Sequence, residues 1–491
     1  MNLVQRFQAV RDRVVAFDAD AALIASMAAF IELAAARYPV DPGARWQPGV
    51  PLELLFCGYA GTRNTGADLR VEEMIRQTRW LLGDEHVAIR ILTINPTLTR
   101  GYFPMARQIH LPQVFPKFTV DAVHGAHGVV ACEGSMFKSK FANALSTLMV
   151  GALGTARAEY KPAIGWGGEA GAMDAPLESL VRRYVKDAFV LCRNDASREV
   201  LAQLGVTNTT SGTDTAWSLP DPDPTIGEDL LRGAGWDGKM PVLWVAPIHP
   251  FWWPVKPDLA RAAAWALTGH EERSHFQSIY FHHAGEEVDR KFAAYLDALS
   301  QAVRRFVAVK DHFVAVLGME QLDRPACEGF ALRVGGAPVF VSDRHIHREM
   351  LSLLRRGSLL LTSRYHAAVC SMPAGVPSVA VTMDERLRNL FDDRGTPELC
   401  LAVDAPDLGE RLFHGLVRAY DERDALRAAN LRTTHRNLAK MGKMGLDVVA
   451  YLRRELPDLP IRPELGTGGD VWAHLPPLDS SLLSRLEHVV A

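Results

Sequence analysis

Three segments set ionisable side chains directly behind short apolar runs. The first, Gly58-Tyr59-Ala60-Gly61-Thr62-Arg63-Asn64-Thr65-Gly66-Ala67-Asp68, follows the run 52–57. Its glycines lead into a helical stretch, so backbone N–H groups gather at a helix N-terminus. That suits an anion or a hydroxyl-rich ligand, and equally a tight strand–helix turn that needs glycine. The G-x-x-G-x-x-x-x-G spacing is not a dinucleotide fingerprint, and the GK[ST] of a phosphate loop is absent. The second, Arg193-Asn194-Asp195-Ala196-Ser197, follows 189–192. Arginine grips carboxylate or phosphate through two parallel bonds, although a lone arginine more commonly closes an interface ion pair. Asp195 is placed to N-cap the next helix. The third, Thr362-Ser363-Arg364-Tyr365-His366, follows 358–361 and puts a cation beside a group that titrates near neutrality. Arg386 stands behind the run 378–381. Three arginines around one histidine suit a small dianion such as a carboxylate-phosphate.

Positioning these groups requires a scaffold, and the alternation of apolar runs with helical stretches supplies it. Strands are expected at 52–57, 87–92, 129–132, 163–166 and 189–192, with helices at 69–82, 137–153, 177–186 and 197–204. Residues 219–241, rich in Pro and Gly, read as a linker. A second series of strands is expected at 242–246, 278–281, 313–317, 338–341, 358–361 and 378–381. Strands alternating with helices build parallel sheets, and ligands gather at the carboxyl ends of their strands. The expected architecture is two Rossmann-like α/β domains facing a cleft, with a helical N-terminal arm and C-terminal helices. Its divisions are 1–50, 51–235 (acceptor side), 236–425 (donor side) and 426–491.

Composition narrows the classes. The chain has 491 residues, 48% of them hydrophobic, which fits a globular protein and excludes a fibrous or mainly disordered one. Balanced charge, 54 Lys+Arg against 57 Asp+Glu, argues against a nucleic-acid partner. No two of the six cysteines form CxxC, so reduced core cysteines are expected, with no metal site. The apolar stretch 21–31 is bounded by Asp20 and Glu32 and is short for a membrane span, so no transmembrane segment and a cytoplasmic location are expected. The pairs His124/His127 and His345/His347 lack a third ligand at a recognised spacing. Trp252 and Trp253 could stack on a sugar or aglycone, or pack a hinge.

In order along the chain, these motifs resemble the polysaccharide pyruvyl transferase family. Its opening Gly-Tyr-x-Gly-x-x-Asn-x-Gly is met by Gly58, Tyr59, Gly61, Asn64 and Gly66, with Ala67 where Asp is usual. A glycine triad is matched partly by Cys132-Glu133-Gly134-Ser135. Arg193, Ser197, Leu201, Gly205 and Val206 meet another element, and Thr213, Asp214 and Leu219 a third. Arg-Leu-His with a trailing Gly-Val-Pro is met by Arg364, Tyr365, His366, Gly375, Val376 and Pro377, and Arg386 stands where Lys is often found. The loop 247–254 departs from the family, which more often carries an Arg there.

The resemblance implies a GT-B-like fold and transfer of pyruvate from phosphoenolpyruvate onto two hydroxyls of one sugar, forming a cyclic ketal and releasing phosphate. It carries over Arg193, Arg364, Tyr365, His366 and Arg386 as the phosphoenolpyruvate site, with His366 as general acid. Gly58, Tyr59, Gly61, Asn64, Gly66, Gly134 and Ser135 become the acceptor side, with Asp68 and Glu133 as candidate bases. No cofactor is expected beyond the co-substrate, and a homo-oligomer or a lipid-linked acceptor at the membrane face is compatible. The alternatives are a nucleotide-sugar glycosyltransferase of the same fold and a catalytically altered member that binds a glycan.

Overall fold

A computed structural model describes residues 18–268, 279–465 and 469–490. The first unit is a seven-stranded parallel sheet: β1 (Leu52–Cys57), β2 (Val87–Thr93), β3 (Arg107–His110), β4 (Gly128–Ala131), β5 (Ala163–Gly168), β6 (Phe189–Cys192) and β7 (Thr209–Ser211), ordered β3-β2-β1-β4-β5-β6-β7. β1 pairs with β2 on one edge and β4 on the other, and helices pack on both of its faces. This is why Leu-Glu-Leu-Leu-Phe-Cys reads as a nearly continuous apolar run. Successive side chains still alternate: Leu55 and Cys57 join the cluster under the helix Asn143–Ala158, while Leu54 and Phe56 join the one under Thr65–Leu82.

The second unit opens with β8 (Val242–Ala246). A short antiparallel pair, β9 (Lys256–Pro257) and β10 (Tyr280–Phe281), follows. Then come β11 (Phe313–Gly318), β12 (Val339–Val341), β13 (Leu359–Thr362), β14 (Ser378–Thr382) and β15 (Cys400–Ala402). The main sheet is β12-β11-β8-β13-β14-β15, all parallel. Two parallel-sheet α/β units are therefore present, as the GT-B-like expectation required. One helix belongs to both: in Arg423–Glu455, Leu438 and Met441 enter the second unit's core, and Met444, Val448 and Leu452 the first's.

Several local expectations change. The strand expected at 278–281 is β10, outside the main sheet, and Ser278 lies outside the described residues. β3, β7 and β15 were not expected; all are short sheet edges, β3 and β7 without a continuous apolar run and β15 (Cys-Leu-Ala) only three residues long. The helix expected from 69 begins at Thr65, capped by the Asn64 side chain, which accepts from Ala67 N at 3.1 Å. Gly66, Ala67 and Asp68 are thus helical rather than part of the turn. Asn194, not Asp195, caps the helix Asp195–Gln203 by accepting from Ser197 N at 2.9 Å. The linker region contains a helix, Pro224–Gly233.

Residues 1–17 of the expected N-terminal helix lie outside the described residues; the rest is the helix Ala19–Arg37. By length and composition alone, at mean hydropathy 1.6, this helix passes the test for a membrane span, a test that the core helix of a globular protein also passes. One of its faces, Ile24, Met27 and Ile31, is packed into the first unit's core.

Candidate functional site

Every candidate segment follows a strand's carboxyl end, and the two units bring most of them to one cleft of about 1180 Å³. Gly58, Tyr59, Gly61, Asn64, Glu133 and Ser135 line it from the first unit, and Arg364, Tyr365, His366 and Arg386 from the second. Arg193 instead lines an adjoining cavity of about 260 Å³, together with Glu169, Ser211, Asn437 and Lys440. Tyr365 and Arg386 face both spaces.

At the junction, three basic groups converge on one buried carboxylate. Asp214 Oδ2 lies 2.8 Å from Arg193 Nη2, 3.4 Å from His366 Nε2 and 3.5 Å from Arg70 Nε. Burial pushes Asp214 toward protonation, but Arg193, His366 and Arg70 outweigh it and hold the carboxyl well below its usual range. His366 moves the other way: burial disfavours its cation, Asp214 opposes this only partly, and its pKa is lowered. Arg193 stays charged because Asp214 and Glu169 outweigh its desolvation. Arg193 Nη2 and His366 Nε2 are buried against Asp214 without well-aligned hydrogen bonds, so their contact with it is mainly electrostatic.

Two glycines make this convergence possible by lacking a side chain. A Cβ on Gly134 would stand 2.3 Å from Arg193 Nη2, and one on Gly66 2.2 Å from His366 Cγ. Both were expected to contact acceptor. In the structure their evident role is to let the guanidinium and the imidazole approach the first unit's backbone.

The arginines do not form an open grip. Arg364 donates from Nε to Asp323 at 2.8 Å and from Nη2 to Glu320 at 2.9 Å, leaving Nη1 as the donor these contacts do not use. Arg386 donates from Nε to Asp384 at 2.9 Å, with its guanidinium 4.6 Å from the Phe141 ring centroid. Any anion is therefore met by the remaining N–H groups of oriented arginines rather than by an excess of positive charge. Tyr59 and Asn64 donate to Glu320 at 2.8 and 3.1 Å and so brace the second unit.

Asp68 does not reach the cleft. It is fully buried, and burial, then Glu72 and Glu320, push its carboxyl well above the usual range. The candidacy of Asp68 as a base is withdrawn; Glu133, 3.6 Å from Arg70, retains it. Sequence reasoning missed Arg70, Glu169, Glu320 and Asp323 as parts of the site. Glu320 follows the end of β11, so the strand-end rule could have found it. Arg70 is interior to a helix and carried no comparable signal. Asp214 was noted within a motif but given no role. Trp252 and Trp253 both line the cleft. Trp252 also stacks on His249 at 4.2 Å, and Trp253 meets Phe141 edge to face at 5.2 Å. His124 and His347 pair with carboxylates, Glu159 and Glu72 respectively.

Among solved structures similar in fold is Neisseria meningitidis UDP-GlcNAc 2-epimerase bound to UDP-GlcNAc, at 9% identity and TM-score 0.47, covering 82% of this chain and 100% of that one. Anabaena HepE in complex with UDP aligns at 12% and 0.47, covering 81% and 100%. S. aureus MnaA with UDP aligns at 9% and 0.48, covering 83% and 97%. No curated protein sequence matches significantly. Arg193 and the Arg364–His366 segment, which carried the resemblance in the sequence, fall inside residues 170–385, which match the polysaccharide pyruvyl transferase family.

Proposed function

We propose that the chain is a pyruvyl transferase that moves pyruvate from phosphoenolpyruvate onto two hydroxyls of one sugar in polysaccharide or glycoconjugate synthesis. The observation that carries this reading is the meeting of His366 from one unit with Arg193 and Asp214 from the other, beside Tyr365 and Arg386, which line both a small cavity and a large cleft. Phosphoenolpyruvate bridges that boundary, its two anionic groups held by the remaining donors of Arg193, Arg364 and Arg386. Its enol C3 accepts a proton as a sugar hydroxyl adds to C2. The C2–O bond to phosphate then breaks, the phosphate leaves with the bonding pair, and the second hydroxyl closes the ketal. Two hydroxyl protons leave the sugar, which balances one gained at C3 and one carried off by phosphate.

His366 is the proton donor in this reading. Its lowered pKa leaves it neutral without substrate, and the arrival of a dianion favours its charged form. Protonation is then coupled to binding of the donor. Glu133, lining the cleft, takes a hydroxyl proton. The test is phosphate release from phosphoenolpyruvate across candidate sugars, with mass measurement of the product. Phosphate release with a pyruvate-ketal mass gain supports the reading. Nucleoside diphosphate release from a nucleotide sugar, with none from phosphoenolpyruvate, would replace it with glycosyl transfer.

A further inference from the structure

Arg193 and Arg386 come from different units and line one cavity of about 260 Å³, with Glu169 in its wall. The two guanidinium groups repel each other across that space, and Glu169 attracts both. A buried carboxylate between two arginines would ordinarily close on them and cancel the field that an anion needs. Here it does not close. Glu169 Oε1 stays 3.6 Å from Arg193 Nη1, while its Oε2 accepts from Lys138 Nζ at 2.7 Å. Lys138 is itself buried, at 3% side-chain exposure.

Lys138 also crosses between the units. Its Nζ donates to Glu385, the neighbour of Arg386 in the chain. Burial pushes the Glu385 carboxyl up, but Lys138 outweighs it and the pKa is lowered. Two further contacts join the same segments. Lys140 Nζ donates to Met383 O at 2.8 Å, and the Arg386 guanidinium lies 4.6 Å from the Phe141 ring centroid. Residues 138–141 of the first unit thus grip 383–386 of the second. The backbone of Glu169 is fixed independently: its N–H donates to Gly134 O at 2.6 Å and its carbonyl accepts from Phe137 N at 3.0 Å. Only its side chain is left for Lys138 to direct.

We infer that Lys138 is a positioning residue for the anion site: it draws Glu169 off Arg193 and ties the Arg386 segment to the same wall, so that both guanidinium groups stay open to a small dianion. That the dianion is phosphoenolpyruvate rests on the pyruvyl-transfer reading; the hold of Lys138 on Glu169 and Glu385 does not. Binding of phosphoenolpyruvate and, separately, of inorganic phosphate is therefore measured by calorimetry on the full chain without acceptor. Lys138→Met should weaken both by about tenfold or more, because Glu169 then turns to Arg193. Lys138→Arg should keep most of the affinity. Adding Glu169→Gln to Lys138→Met should bring affinity back to within about threefold of the wild type, since the neutral amide no longer competes for the arginine. A lysine that merely filled space would give a double variant weaker than either single one.

Unchanged binding in Lys138→Met, or a double variant no better than Lys138→Met, overturns the inference, and so does a wild type that binds neither anion. Where Lys138→Met fails to fold, Glu385→Gln, at a half-exposed position, carries the test. Loosening the Arg386 segment from 138–141 should weaken both anions by about threefold, and equal binding would remove Lys138 from the site. If inorganic phosphate follows the expected pattern but phosphoenolpyruvate yields no phosphate with any acceptor, the transferase reading falls and the role of Lys138 stands. Turnover of phosphoenolpyruvate with none of these changes keeps the transferase and discards the role of Lys138.

Discussion

The two spaces that meet at Tyr365 differ in what their walls do. The smaller is about 260 Å³ and is walled by side chains already locked to one another, Arg193 to Asp214 and Glu169, with Lys440 near its mouth. The larger is about 1180 Å³, with a charged floor at Arg364 and His366 and an aromatic wall at Trp252 and Trp253. Fixed, paired charges suit recognition of one small rigid dianion, because the side-chain ordering is already complete before binding. A roomy apolar wall suits a variable partner whose affinity comes from buried area. Under the proposed function, the contrast would divide the labour between donor and acceptor, with His366 between them.

Four variants break or sharpen that division. His366→Gln should affect both substrates' turnover, lowering kcat by about a hundred- to ten-thousand-fold while phosphoenolpyruvate still binds. Near-normal turnover would remove His366 from the chemistry. Arg193→Lys should touch the small space only. Loss of a charge-assisted bond worth about 1.5–3 kcal/mol lowers kcat/KM for phosphoenolpyruvate by about tenfold to a hundredfold, with the acceptor's KM unchanged. An acceptor KM that moves equally would merge the two spaces into one site.

Asp214→Asn tests the electrostatic link. Asp214 raises the pKa of His366 against its burial, so its removal lowers that pKa further. Because the reading needs protonated His366, activity should fall at lower pH than in the wild type; a pH–rate profile shifted upward would contradict the role. The smallest effect concerns Asp323, whose carboxyl burial pushes up to about 6 despite Arg364. The folded state then binds more protons than the unfolded one, whose aspartates titrate near about 3.9, so this group's contribution favours folding less as pH rises from about 4 to 6. Asp323→Asn should flatten stability over that window in urea titrations, and an unchanged slope would place the effect elsewhere.

Much of the fold was legible because buried parallel strands announce themselves as apolar runs: β1, β6 and β8 occupy the expected residues. Edge strands such as β7, Thr-Thr-Ser, did not, since pairing on one side only asks for no apolar run. The positions of Arg193, Arg364 and His366 behind strand ends were legible for the same topological reason. Their states were not. A strand end predicts that Arg364 points toward the cleft, but not that Glu320 and Asp323 hold it there.

By itself, then, the sequence determined the two α/β series, the strand-end placement of the ionisable segments and the family resemblance. Each of these depends on residue type and local spacing. The tertiary structure decided which charges meet. Arg193 and Asp214 come from one unit and His366 from the other, and Arg70 reaches Asp214 from inside a helix. It also buried Asp68 and gave Gly66 and Gly134 their purpose as clearances beneath His366 and Arg193. Ionisation and close approach depend on everything within a few ångströms, and most of those neighbours lie far away along the chain.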